Sequence, residues 1–257
     1  MRRSGRRGQG IPIRGLLPLI LALAAWQIFG SDESAYFPRP GAWVHAVVDL
    51  FHKSGLLGAV GTTALSFLIG LAISAVIGSA IGILVGSVPK ADGALGPLLE
   101  FLRVMPAAVL VPFATLVFGY NMQMKLTVVV LASIWPILLA VRMGRRRMSG
   151  TILDIGPTMG LSHALTIRKI ILPGLLPSLL TGLSIAAPLC LIVTLLVEII
   201  ARVPGIGSLI GTAQDNFASA QVYGLLVIAG IISIIVNQVV RRVETGFSRR
   251  IGTLVER

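Results

Sequence analysis

"GAVGTTALSFLIGLAISAVIGSAIGILVG", residues 58–86, decides the class of fold, because it holds no ionisable side chain over its whole length. As an α-helix it would extend about 43 Å at 1.5 Å per residue. The hydrocarbon core of a bilayer is about 30 Å thick and needs about 20 apolar residues to cross. The stretch is therefore a membrane span with room to tilt. Small residues recur in it at every fourth position: Gly58, Thr62, Ser66, Gly70, Ser74, Gly78, Gly82 and Gly86. Small side chains let helix backbones approach closely in lipid, where dispersion drives association. A four-residue repeat drifts about 40° per step on a helix of 3.6 residues per turn. No single straight neighbour is expected to follow the whole stripe, and different parts of it should meet different helices.

The rest of the chain shares this character. Hydrophobic residues make up 55% of it and charged residues 12%, with a mean hydropathy of +0.90, outside the range of soluble domains. Apolar helical stretches fall at 15–30, 58–86, 98–118, 125–142, 172–200 and 221–240, each long enough to read as a span. The expected fold is an all-α integral membrane protein of about six transmembrane helices. The first is the weakest in length and follows "MRRSGRRGQGIPIR", whose five arginines resemble the n-region of a signal peptide. After the short apolar core, "ALAAWQIFGSDES" at 22–34 offers only a poor cleavage site, so the helix is kept. The organisation expected is a basic N-terminal segment at 1–14, a single transmembrane domain at 15–250 with a large loop at about 143–171, and a tail at 251–257.

Charge orients these spans, because short cytoplasmic loops are enriched in Lys and Arg. Arg2, Arg3, Arg6, Arg7 and Arg14 precede the first span. Arg142, Arg145, Arg146, Arg147, Arg168 and Lys169 lie between the fourth and fifth, against Asp154 alone. Arg241, Arg242, Arg249, Arg250 and Arg257 follow the last, with Glu244 and Glu256. Six spans place all three regions on one side, so both termini and the 143–171 loop are expected in the cytoplasm. Residues 31–57, with Asp32, Glu33 and Asp49 against Arg39 and Lys53, read as an external loop.

Several kinds of chemistry are missing from the sequence. The net charge of +12 is clustered beside spans rather than carried on a soluble binding domain, which argues against a nucleic-acid partner. Cys190 is the one cysteine and forms no intrachain disulfide, and His45, His52 and His163 lack metal-ligand spacing. None of the four lysines, Lys53, Lys90, Lys125 and Lys169, follows a glycine, so a Walker A loop is excluded. Ion-coupled transporters keep ionisable groups near the bilayer midplane, yet 58–86, 126–141 and 172–197 contain none. Those that approach the membrane sit near span ends. Glu100 and Arg103, at i and i+3, and Glu198 and Arg202, at i and i+4, are read as pairs on single helix faces. They either settle helix termini or act in gating. With Arg103 and Arg202 so paired, the sequence shows no fixed positive pocket. Pro106, Pro112 and Pro188 are candidate kinks, and Met105, Thr115 and Thr194 are candidate lining residues of a path through the third and fifth spans.

A chain with no energy source of its own needs a place where a soluble partner can push. "DIGPTMGLSHALTIRKIILP", residues 154–173, supplies one. Asp154 reads as an N-cap with Pro157 in the first turn after it, Gly160 as a sharp turn of positive φ, and Ser162 as a second cap leading into the fifth span. Two short helices joined at a glycine form a rigid handle.

The spacing D-I-G-x-x-x-G, nine residues, then I-I-L-P resembles the EAA loop of bacterial ABC importer inner-membrane permeases. Asp154 matches its acid, Gly160 its glycine, and Ile170, Leu172 and Pro173 its closing element. "FPRPGAWVHAV", "PLLEFLRVMPAAVLVPFATLVFGY", "LPSLLTGLSIA" and "VPGIGSLI" extend the likeness from about 15 to 250, and place it in the taurine, alkanesulfonate and nitrate branch. The resemblance implies a type I permease architecture in a bacterial inner (plasma) membrane, paired as a homodimer with lipid around it. It also implies a cytoplasmic ATPase dimer that binds ATP and Mg, and an external substrate-binding protein. This chain itself would carry no cofactor and no enzymatic activity. The ATPase-coupling positions carried over are Asp154, Ile155, Gly156, Gly160, Leu161, Ser162 and His163. Ile155 and Gly156 stand where the pattern has two alanines, followed by Pro157; they imply a dedicated ATPase partner or a more weakly coupled helix. The cargo implied is a small sulfonate, taurine, nitrate or similar anion or heterocycle. The readings competing with it are a standalone secondary transporter or channel, and a membrane assembly scaffold.

Overall fold

The computed structural model describes residues 13–31, 34, 36–53 and 55–255, so residues 1–12 of the basic segment and 256–257 of the tail lie outside the described residues. Among the described residues the chain is helical, without strands. The helices are α1 (Ile13–Phe29), α2 (Pro40–Lys53), α3 (Leu56–Ser87), α4 (Pro89–Leu102), α5 (Ala107–Phe118), α6 (Met122–Arg147), α7 (Gly150–Thr158), α8 (His163–Thr166), α9 (Leu172–Ala201), α10 (Ile206–Asp215) and α11 (Ser219–Val255). A π-helical turn, Ile167–Ile171, joins α8 to α9.

Four segments are long and apolar enough to cross a membrane: α3, α6, the rod Ala164–Ala201 and Ser219–Gly246 of α11. The expected third span is instead a bent pair, α4 and α5, whose axes turn by 91°. The break falls where Pro106 caps α5 with extended backbone: proline has no N–H to continue a helix and drives the residue before it out of the α region. Counted as one span, the pair makes five. The first expected span exists as α1, but 17 residues reach only about 26 Å, short of the about 30 Å apolar core. Trp26 on α1 stands edge-on to Trp43 of α2 and Tyr223 of α11, with centroids 4.9 and 5.5 Å away.

The glycine stripe of α3 shows why the helices pack as they do. Ser66 touches Met122 at the start of α6. A Cβ on Gly70 would stand 2.7 Å from Val129 Cγ1, on Gly82 2.7 Å from Leu138 O, and on Gly86 2.8 Å from Arg142 O. One neighbour, α6, therefore follows the stripe from residue 66 to 86, while a Cβ on Gly58 would meet nothing within 4 Å and one on Gly70 would also stand 3.7 Å from Cys190 Sγ of α9, so α6 does not follow the whole stripe. Without Cβ atoms at these positions the two backbones approach closely along this length. Contacts advance together along both helices, so α3 and α6 are parallel. The bent α4–α5 pair supplies the return crossing that a parallel arrangement requires.

The antiparallel α9 completes the centre. Met124, Val128 and Val129 of α6 pack on Ala187, Cys190, Val193 and Val197 of α9, with Phe67 of α3 and Val111 of α5. A second cluster, Ile206, Ile210, Leu225, Leu50 and Leu56, seats α10 across the end of the bundle between α3, α11 and α2.

Candidate functional site

The handle lies at the end of the bundle where α6 stops and α9 starts. Met148 leaves α6 with extended backbone, and Ile152 N donates to Ser149 O at 3.1 Å, so helix resumes at once. α7 thus starts at Gly150, and Asp154 and Pro157 lie within it rather than opening it. The C-terminal half follows the sequence reading. Gly160 has φ +67, and Leu161 N donates to Gly156 O at 2.9 Å, the six-to-one closure of a Schellman motif. Ser162 Oγ accepts from Leu165 N at 3.4 Å and Ser162 O from Thr166 N at 2.9 Å, an N-cap for α8.

Gly156 has a packing role. It is buried against Thr166 of α8, and a Cβ there would stand 2.6 Å from Thr166 Cγ2. The β-branched Thr166 occupies the space that an alanine methyl would need. Gly156 where the resembled pattern has alanine is therefore the counterpart of Thr166, and the two helices of the handle touch through this pair. Ile152, Ile155, Met159 and Leu165 remain exposed on the outer side of the handle. The side chains of Asp154 and His163 lie outside the described residues.

At the opposite end of the bundle the structure corrects one ion pair. Glu100 and Arg103 do pair, at 3.1 Å with both side chains half exposed. Glu198 does not pair with Arg202. Its carboxylate meets Lys125 Nζ of α6 at 2.9 Å, with the two side chains 0% and 1% exposed. Thr63 Oγ1 of α3 donates to it at 2.9 Å, and Gly207 N of α10 at 2.9 Å. Lys125 Nζ also donates to Pro204 O at 2.9 Å, and Thr63 Oγ1 accepts from Ile206 N at 2.9 Å. The carboxylate thus sits at the N-terminus of α10, where free N–H groups and the helix dipole favour an anion. Arg202 turns outward to Asp215 at 2.9 Å. The reason is direction: Glu198 sits on the buried face of α9 toward α6, while Arg202, with φ 53, lies past the helix end. The signal for Lys125 was present in the sequence, as a lysine opening one apolar run at the same end at which a glutamate closes another.

Between these ends runs a groove along α6 and α9. It contains a cavity of about 500 Å³ lined by Trp135, Leu139 and Arg147 of α6, Ser178, Thr181 and Ile185 of α9, and Arg103. The candidate lining residues do not meet there. Thr194 is fully buried and its hydroxyl donates to Cys190 O at 2.8 Å, because it faces the core between α9 and α6. Thr115 lines a separate cavity between α5 and the end of α9 with Pro112 and Ile200, and Met105 is exposed at the α4–α5 break. Arg103 and Arg147 facing one cavity supply the positive pocket that the sequence did not reveal.

A bundle of apolar helices long enough to cross a membrane, with a capped helical handle at one end and a buried ionic lock at the other, has the architecture of a multi-pass membrane permease. The chain belongs to the family of binding-protein-dependent transport system inner membrane components, whose model matches residues 75–253, and is a permease subunit of an ABC transporter. It is 24% identical over 246 residues to a putative aliphatic sulfonates transport permease protein, SsuC, of Bacillus subtilis (strain 168), covering 95% of this chain and 89% of that one. It is 29% identical over 244 residues to the bicarbonate transport system permease protein CmpB of Synechocystis, covering 88% and 85%, and 25% identical over 244 residues to the nitrate import permease protein NrtB of Leptolyngbya laminosa, covering 90% and 87%. The fold is that of a chain in inward-facing conformations of the MetNI methionine ABC transporter, with a TM-score of 0.64 at 17% identity over 74% of this chain and 95% of that one.

Proposed function

We propose that this subunit forms the translocation path of an ATP-driven importer for a small anionic solute, and that a separate cytoplasmic ATPase dimer drives it through the 154–173 segment. A second copy of the permease completes the path, and an external binding protein delivers the solute to the α10 end. With α1 taken as a sixth, short span, the handle, the ATPase and both termini lie in the cytoplasm, the side that the arginines flanking the spans favour. The observation that carries this reading is the handle itself. Its two helices are locked by the Schellman closure and the Gly156–Thr166 contact, it presents Ile152, Ile155 and Met159 to solvent, and it continues without interruption into the rod Ala164–Ala201. An exposed apolar surface rigidly joined to a span has the form needed to convert movement of a docked protein into movement of a helix. Relatives that carry the names of sulfonate, bicarbonate and nitrate permeases support the solute class.

Gly160→Val tests it. A Cβ there meets nothing within 4 Å, but φ is +67, so the strain falls on the backbone, at about 1–2 kcal/mol or more for a branched residue. The variant should insert normally yet lose ATPase co-purification and uncouple ATP hydrolysis from uptake. Unchanged docking and uptake would remove the handle from the mechanism.

A further inference from the structure

The short helix α2 has three faces. At about 100° per residue, Trp43, Val47 and Leu50 share one, and it is turned into the bundle. A Cβ on Gly224 of α11 would stand 2.5 Å from Val47 Cγ2 and 2.9 Å from Trp43 O, and Leu50 joins Leu56 of α3 and Ile206 and Ile210 of α10 in one buried cluster. Val44, Val48 and Phe51 fall about 80–140° further round and are 64%, 48% and 52% exposed. His45, Asp49 and His52 follow at about 180–240°, all of them exposed. The open surface of α2 is thus divided lengthwise into an apolar strip and a polar strip. A helix surrounded by water gains nothing from such a division, whereas one lying between hydrocarbon and water requires it.

The neighbours of α2 place that boundary. Gly224 lies in the second turn of α11 and Leu56 opens α3, and both helices are long and apolar enough to cross a membrane. The start of α2 is tied to the end of α1: Arg39 Nε donates to Gly30 O at 2.6 Å and Gly41 N to Gln27 Oε1 at 2.8 Å. A left-handed Gly55, φ +63, breaks it from α3. Three helix ends therefore meet at the level of α2. Trp26, Trp43 and Tyr223 gather there, the last two stacked with centroids 5.0 Å apart. Their polar tips are satisfied, Trp43 Nε1 donating to Pro38 O at 3.1 Å and the Tyr223 hydroxyl to Tyr36 O at 3.1 Å. Trp and Tyr, apolar in body and polar at the tip, are the side chains of the membrane–water boundary.

We propose that α2 is an interfacial helix that lies in the bilayer surface at the α10 end of the subunit, with Val44, Val48 and Phe51 among the acyl chains and His45, Asp49 and His52 among headgroups and water. Lipid rather than protein is the partner of the apolar strip. Three partly exposed side chains fall far short of the about 800 Å² per partner that a stable protein interface buries, and a bilayer makes no such demand. Because Leu50 of the same helix packs on α10, the seat in the lipid also fixes the depth of α10.

The test places bimane on single cysteines of the full-length chain in phosphatidylcholine nanodiscs, at Val44→Cys, Val48→Cys and Phe51→Cys on one strip and His45→Cys, Asp49→Cys and His52→Cys on the other. The native Cys190 is 0% exposed, and the unsubstituted chain should take up no label. Phosphatidylcholine brominated at the headgroup end of one acyl chain should quench the first three labels at least about twofold more strongly than the second three, as for a helix sunk about 5–10 Å into the boundary, and aqueous iodide should give the reverse order. Equal quenching of all six by iodide would put α2 in water and overturn the proposal. Weak quenching of the first three by both reagents would show that protein, such as a second copy of the chain, covers the strip, and would overturn it as well. Three positions on each strip keep the comparison decisive if one variant fails to fold.

Discussion

Replacing Glu198 by Gln keeps the shape of the side chain and removes its charge, which isolates the ionic part of the lock. The carboxylate has three donors, Lys125 Nζ, Thr63 Oγ1 and Gly207 N. Lys125 has one other acceptor, Pro204 O. After the substitution the ammonium stays 1% exposed with no counter-charge, and breaking a buried pair in this way costs about 3–5 kcal/mol. Lys125→Met should cost less, because the carboxylate left behind keeps two hydrogen-bond donors and the N-terminus of α10. The double variant has no unpaired charge and should recover most of the loss, with a coupling energy of at least about 2 kcal/mol. The assay is equilibrium unfolding in mixed micelles, with hydrogen exchange at the Ile206 and Gly207 amides as the local readout. Additive single effects, or unchanged protection of α10 in Glu198→Gln, would refute the assignment of this cluster as a lock.

Three further outcomes follow from the same geometry. Arg202→Ala should cost at most about 1 kcal/mol, because its pair with Asp215 is 38% and 66% exposed, and it should show no coupling to Glu198→Gln in a double-mutant cycle; coupling would restore the i, i+4 pairing. Gly156→Ala should loosen the handle by overpacking against Thr166, at about 1–3 kcal/mol, and added Thr166→Ala should restore ATPase co-purification. Gly82→Leu should prevent α3 from seating on α6, since even a Cβ would stand 2.7 Å from Leu138 O, whereas Gly58→Leu, with nothing within 4 Å, should be tolerated in the same yield and thermal-stability assay.

The spans were legible because hydropathy integrates over about 20 residues and local detail averages out. The same averaging hid what is short. Neither α2 nor α10 is as long as a span, so both passed as loop, and the break at Pro106 was legible as a kink but not as a 91° turn. The handle was readable where one residue fixes one conformation, at Gly160 and Ser162, and misread at Asp154, a chemically good cap that the earlier restart of the helix at Gly150 placed in mid-helix. The ionic lock was misread for a different reason. Spacing rules see partners on one helix, and Glu198 and Lys125 are separated by 73 residues; only the antiparallel pairing of α6 with α9 brings them together. The cavity was invisible for the same reason, its two arginines lying on opposite sides of the α5 segment in sequence.

The lock constrains how the proposed transporter moves. Thr63, Lys125, Glu198 and Gly207 tie α3, α6, α9 and α10 to one carboxylate, and from residue 66 to 86 the same α3 is packed on α6 without space for a methyl group at Gly70 or Gly82. Packed, fully satisfied networks of this kind behave as bistable or rigid units rather than continuously deformable ones. An opening inside the subunit at the α10 end would have to separate a buried ion pair, at a cost of several kcal/mol per cycle. On the proposed mechanism, a push at the handle would turn α3, α6, α9 and α10 as one body. In the proposed transporter the access that changes would lie at the subunit's exposed faces and not through the lock. Glu198 is accordingly a positioning residue: Glu198→Gln should shift stability and α10 protection while leaving ATP-dependent uptake intact in complexes that assemble, and loss of uptake in such complexes would make it a gate instead.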